Sequence, residues 1–153
     1  MTLADIISAS SVHIASEVSS KKRALEELAN ILAQATEDLD AREIFTALVN
    51  REKLGSTGLG SGVGIPHGRI SGLDQAVGAV IKLPAPIDFE SVDRKGVDLL
   101  FGLIVPKEAT QLHLQTLAAI AELCQDDSVV GKMREASDAE SLYAVLASKP
   151  VGD

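Results

Sequence analysis

A chain of 153 residues and 16.0 kDa has room for one ordinary domain. Its 14 Lys and Arg against 22 Asp and Glu leave a formal charge of −8, which argues against nucleic acid or an anionic membrane surface as partner. The single cysteine, Cys124, excludes a disulfide framework and a thiolate metal cluster, and 3% aromatic residues leave little for stacking on bases or sugars. The longest apolar run, Leu99 to Val105, has seven residues, against the roughly 20 a membrane helix needs. The opening MTLADIISAS lacks the basic cluster and apolar core of a signal peptide. A cytoplasmic chain without membrane insertion is the expectation.

In chain order, Ser11 to Ala15 reads as a short edge strand. Ser19-Ser20 then precede Leu25, Leu28, Ala29 and Leu32, the i, i+3, i+4, i+7 stripe of an amphipathic helix. Asp40 followed by Glu43 has the spacing of a capping box. The second helix it opens places Ile44, Ala47, Leu48 and Leu54 on one face, with Gly55 as its stop. Gly64 to Pro66 is a short strand, and Ala76 to Leu83 a longer one ending at Pro84. Val97 to Val105 is almost continuously apolar and closed by Pro106, the pattern of a central strand covered on both faces. A third helix starts after Thr110 and carries Leu112, Leu117, Ile120 and Cys124; a short one spans 127–135. Ser137 followed by Glu140 reads as a capping box for a last helix with Leu142, Tyr143, Val145 and Leu146. The expected fold is a single α/β domain over residues 1–153, a central mixed sheet flanked by helices.

The chemistry concentrates in Gly55 to Gly68, GSTGLGSGVGIPHG, which holds six of the chain's twelve glycines. Such density weakens regular structure but brings bare N–H groups close to a ligand, typically an anion. It is not a P-loop, because neither Gly-Lys-Ser nor Gly-Lys-Thr occurs. It is not a dinucleotide fingerprint either: frames starting at Gly58, Gly60 and Gly62 put Val63, Ile65 and His67 at the last position. The stretch leads instead to His67, between Pro66 and Gly68. Pro66 keeps Ile65 extended and Gly68 lets the chain turn away, so the imidazole is held at a strand end with a ring nitrogen accessible. A neutral imidazole is a good nucleophile toward phosphorus, and Ser56, Thr57, Ser61 and the glycine amides are placed to solvate phosphoryl oxygens. The competing reading is a plain turn with no chemistry.

Other residues carry paired readings as well. Arg51, on the stripe of Ile44, Ala47 and Leu48, either reaches round the helix end to an anion or simply favours a helix C-terminus. His113 faces the core side of its helix in the first turn, where the dipole keeps a ring neutral. Thr57 serves either phosphate or turn. His13 reads as structural, Cys124 as buried and inert, and Asp126-Asp127 as a solvated helix boundary.

Glu52 to Gly68, EKLGSTGLGSGVGIPHG, resembles the phosphorylation-site signature of the fructose/mannitol class of enzyme IIA proteins of the bacterial phosphotransferase system. Glu52, Leu59-Gly60, Val63, Gly64, Ile65 and Pro66-His67-Gly68 fill the pattern, with Gly64 where the family usually has alanine. SKKRALEELA at 20–29, VDLLFGLIVP at 97–106 and HLQTLAAIAE at 113–122 extend the likeness over essentially the whole chain. Arg51, Leu54 to Gly58 and the free-standing domain resemble the nitrogen-related regulatory branch more than a sugar-specific IIA component that passes phosphoryl to a IIB partner. The resemblance implies a mixed sheet flanked by helices. It implies a phosphotransferase in which His67 is the phosphorylated nucleophile, on Nε2, and takes its phosphoryl group from an HPr-like phosphocarrier. His113 and Arg51 would then be catalytic, with Thr57, Ser56 and Gly68 binding phosphate and no metal or cofactor. Phosphorylation would control binding of regulated targets, kinases or transporters. A metal hydrolase built on His67, His113 and a carboxylate is the contrasting class, for which the three histidines lack ligand spacing.

Overall fold

The most apolar strand occupies the centre of the sheet in the computed structural model, which describes residues 2–36, 39–108 and 110–150, without the side chains of Thr110, Leu112 and His113. This strand, Val97–Pro106, is buried throughout except at the half-buried Asp98. Numbered in chain order, the strands are β1 (Val12–Ile14), β2 (Gly58–Gly60), β3 (Val63–Gly64), β4 (His67–Ile70), β5 (Val77–Ile87) and β6 (Val97–Pro106). The helices are α1 (Lys21–Gln34), α2 (Ala41–Glu52), α3 (Thr110–Cys124), α4 (Asp127–Glu135) and α5 (Ala139–Leu146), with short 3-10 turns at Leu3–Asp5 and Ala9–Ser11.

The sheet order is β1-β5-β6-β3-β2, and β4 also pairs with β6. β5 runs antiparallel to β6, whereas β1 runs parallel to β5, and β3 and β4 run parallel to β6. The sheet is therefore mixed, as the sequence pattern implied. β3 and β4 lie in one column: Val63 and Gly64 stand beside Leu99 and Leu100, and His67 resumes the pairing beside Leu103. The break falls at Ile65-Pro66, since proline has no N–H to give a ladder. That interruption puts His67 at the start of a strand.

One sheet face packs on α1 and α2 through Leu28, Leu32, Ile44, Leu48, Leu100 and Ile104. The other meets α3, α4 and α5 through Phe101, Leu103, Ile120, Val130 and Leu142. Residues that alternate along β6 divide between the two cores, which is why its sequence shows no polar alternation.

Several boundaries differ from the sequence reading. β5 continues through Pro84 and Pro86, its register shifting between Lys82 and Ile87, where the ladder no longer calls on each N–H. Ser20 caps α1, accepting from Arg23 N. Asp40 caps α2 through Arg42 N at 2.9 Å, an Asx-type contact in place of the expected reciprocal box with Glu43. For α5 the cap is Asp138, accepting from Ser141 N at 2.7 Å, not Ser137. α2 ends at Glu52, two residues before Leu54, so Leu54 leaves the buried stripe and is 84% exposed.

A methyl group on Gly64 would lie 3.0 Å from Leu100 Cδ2 and 3.3 Å from Phe89 Cε2, both residues fully buried. The departure from alanine at this position thus accommodates its neighbours. Gly64→Ala is expected to cost about 1–2 kcal/mol by overpacking, read from the midpoint of urea unfolding; an unchanged midpoint would show that Leu100 and Phe89 rearrange freely.

Candidate functional site

His67 is 9% exposed, and its ring is fixed by contacts on both nitrogens. Nδ1 lies 2.8 Å from the carbonyl oxygen of Ile65. A carbonyl only accepts, so Nδ1 carries the proton. Arg51 Nε donates to His67 Nε2 at 3.2 Å, so Nε2 is the acceptor. Both contacts specify the same neutral tautomer, with its lone pair on Nε2. Burial moves the His67 pKa below its ordinary 6.5 and the Arg51 charge adds to that; the bond to Ile65 and the charge of Glu52 oppose it.

Arg51 stands in the last turn of α2, where its Nη1 also donates to Gly55 O at 3.0 Å. The guanidinium is thereby held across the imidazole. It is not merely a cation at a helix end. Arg51 and His67 border two depressions. The larger, about 990 Å³, is also lined by Arg69, Lys107 and Asn50; the smaller, about 370 Å³, by Thr57, Gly58 and Leu117. Among the described residues lining the larger cleft, Glu43 is the one carboxylate against three cations, so the site is locally basic on a chain of charge −8. Such a cleft concentrates anions.

Gly68 follows on β4, and a methyl group there would sit 3.1 Å from Ala47 Cβ. Glycine at this point lets α2 approach the strand closely enough for Arg51 to meet His67. Gly68 also lines the larger cleft.

The glycine-rich loop is held by the hydroxyls that were expected to meet a phosphate. Ser56 Oγ donates to Phe89 O at 2.7 Å and accepts from Gly58 N at 3.1 Å. Thr57 Oγ1 donates to Glu52 Oε2, and Thr57 N donates to Glu52 Oε1 at 3.2 Å. Both hydroxyl hydrogens are engaged inside the protein, on Phe89 O and Glu52 Oε2, where Ser56 and Thr57 shape the loop. The hairpin turn beyond passes through Gly60, Ser61 and Gly62 with φ of 98°, 58° and 84°. Asp93 accepts from Ser61 N at 3.0 Å, and Arg134 donates to Ser61 O at 2.7 Å.

The side chain of His113 lies outside the described residues; its position is in α3, next to Leu114, which lines the larger cleft. His13 is on β1, with Nε2 3.0 Å from Ser10 O, separated from β4 by β5 and β6. Cys124 is buried, and burial pushes its thiol up to about 12, in keeping with an inert residue. Asp126 caps α4 through Ser128 N. Sequence reasoning gave no role to Glu52, although a signal was present: Ile44, Leu48 and Glu52 recur every four residues, and all three are buried.

The family model described as "Phosphoenolpyruvate-dependent sugar phosphotransferase system, EIIA 2" matches residues 5–149, and the chain belongs to this family of IIA phosphocarrier domains. It is similar to the nitrogen regulatory protein of Pseudomonas aeruginosa, 48% identical over 127 residues and covering 83% of this chain and 82% of that one. The nitrogen regulatory protein of Bradyrhizobium diazoefficiens is 43% identical over 150 residues, covering 98% and 97%. The crystal structure of nitrogen regulatory protein IIA-Ntr from Neisseria meningitidis superposes with a TM-score of 0.88 at 41% identity, covering 95% of this chain and 99% of that one.

The depressed His67 pKa fixes the sign of a pH effect. The unfolded chain takes up the proton first, near 6.5, so the stability contributed by neutral His67 is complete above that pH. It is lost progressively as pH falls toward the folded-state value. Denaturation profiles should therefore show a steeper loss of stability below pH 6.5 in the wild type than in His67→Gln. Parallel profiles would contradict the assigned neutral, buried ring.

Proposed function

We propose that His67 accepts a phosphoryl group on Nε2 from an HPr-like phosphocarrier, and that the phosphorylated chain acts in the nitrogen-related regulatory branch by altering its affinity for target kinases or transporters. The observation that carries this reading is the ring geometry: Nδ1–H on the Ile65 carbonyl leaves Nε2 with the nucleophilic lone pair, beside Arg51. In the transfer, that lone pair forms a bond to phosphorus while the donor's N–P bond breaks and its electron pair returns to the carrier's imidazole. Arg51 exchanges its contact with Nε2 for the phosphoryl oxygens, where a guanidinium offers charge and paired donors. The barrier falls chiefly through positioning and charge stabilisation.

Three exposed apolar residues, Leu54 (84%), Val92 (77%) and Leu114 (62%), border the two depressions beside His67. An apolar rim round a basic centre suits a carrier protein that presents a phosphorylated side chain from an apolar surface. The identities of 48% and 43% to proteins named for nitrogen regulation favour the regulatory branch over a sugar-specific one. A phosphate on His67 adds about −1.5 to −2 charges, enough to cancel most of the cleft's positive charge toward a docking partner.

His67→Ala should abolish acid-labile phosphate incorporation from a phosphorylated HPr-like donor, and incorporation that persists would remove the assignment. Arg51→Met should slow transfer by about a hundredfold while leaving the fold intact, measured by single-turnover phosphorylation. An unchanged rate would return Arg51 to a helix-terminal role.

A further inference from the structure

The side-chain carboxyl group of Glu52 is 5% exposed, well inside the protein, and nothing in the transfer chemistry above uses it. Its described partners account for both oxygens: Lys21 Nζ and Thr57 N on Oε1, at 3.0 and 3.2 Å, and the Thr57 hydroxyl on Oε2. Burying such a pair is weak as a source of stability, because the desolvation of two charges offsets most of their attraction. A different consequence follows from what Thr57 does next. Its carbonyl accepts from Ile65 N at 3.0 Å, and the carbonyl of the same Ile65 receives Nδ1–H of His67. A continuous chain of contacts thus runs from the first residue of α1 through the last residue of α2 to the imidazole.

We propose that Glu52 is a positioning residue: by holding both donors of Thr57 it fixes Ile65, whose N–H Thr57 O receives and whose carbonyl selects the His67 tautomer with its lone pair on Nε2. Its part in phosphoryl transfer rests on the function proposed above; its control of the tautomer does not. Lys21 supports the carboxylate from the far side, 4.7 Å above the Phe89 ring, and Phe89 O in turn holds Ser56. The network closes on both sides of the loop. Partners that orient a reacting histidine through its other nitrogen change rates by about ten- to a hundredfold when removed from metal sites, and the same reasoning holds where the electrophile is phosphorus.

The test is Glu52→Gln, with Thr57→Val as a second variant that keeps the shape and removes only the hydroxyl. In 15N-histidine NMR of the unphosphorylated proteins, the wild type should show His67 with Nδ1 protonated and Nε2 unprotonated. Each variant should show a mixture of the two tautomers. Phosphorylation by the HPr-like donor should slow about tenfold per folded molecule with the donor concentration for half-saturation unchanged. A single wild-type tautomer in both variants, whatever their melting temperatures, would overturn the proposal. Because the tautomer is read without any donor, this result stands apart from a failure of the phosphocarrier reading. Should Glu52→Gln not fold, Thr57→Val supplies the same readout.

Discussion

One hydrogen bond organises the site: Nδ1–H of His67 to the Ile65 carbonyl, two residues back in the same chain. A histidine in a flexible loop would sample both tautomers and many ring orientations. Here the bond is local, and Pro66 between donor and acceptor restricts the backbone, so the ring's orientation is set largely by chain geometry. What remains is to place the other nitrogen before a cation in a basic cleft. α2 accomplishes that by packing on Gly68 so that its last turn overhangs the ring.

The sheet contributes through its interruption. An unbroken strand opposite β6 would run from Val63 to Ile70, and its side chains would alternate between two sealed cores. Pro66 has no N–H to give the ladder there, and the Ile65 carbonyl, on the edge away from β6 where Ile65 N meets Thr57 O, is the partner of His67 Nδ1. The apolar density of β6 compensates, since a strand buried on both faces tolerates a discontinuous neighbour on one edge. Stability and chemistry are thereby divided between adjacent strands. The buried ring is then kept neutral by desolvation, with the nearby guanidinium acting in the same direction.

The parts of this architecture that repeat were legible in the sequence. The stripe of α1, the edge strand β1 and the central β6 follow from hydrophobic period and helix-cap chemistry, and the short α4 was expected at 127–135. Pro-His-Gly after a glycine-rich run pointed to His67, whereas the odd position of Arg51 on an apolar stripe left its inward and helix-terminal readings both open. The pairing of β4 with β6 was not readable, because four residues between a proline and a turn carry no periodic signal. Nor was the engagement of Ser56 and Thr57: which acceptor a hydroxyl finds depends on Phe89 and Glu52, brought near by tertiary packing. Leu54 failed for a related reason. Its spacing matched the buried face, but the helix had already ended.

The account depends most on Nε2 being the atom that reacts. Phosphorylating the 15N-histidine-labelled protein and recording the nitrogen–phosphorus coupling of His67 tests this directly. Coupling to Nε2, with Nδ1 still protonated and bonded to the Ile65 carbonyl, is the expected result. Phosphorus on Nδ1, or on a histidine other than His67, would contradict it.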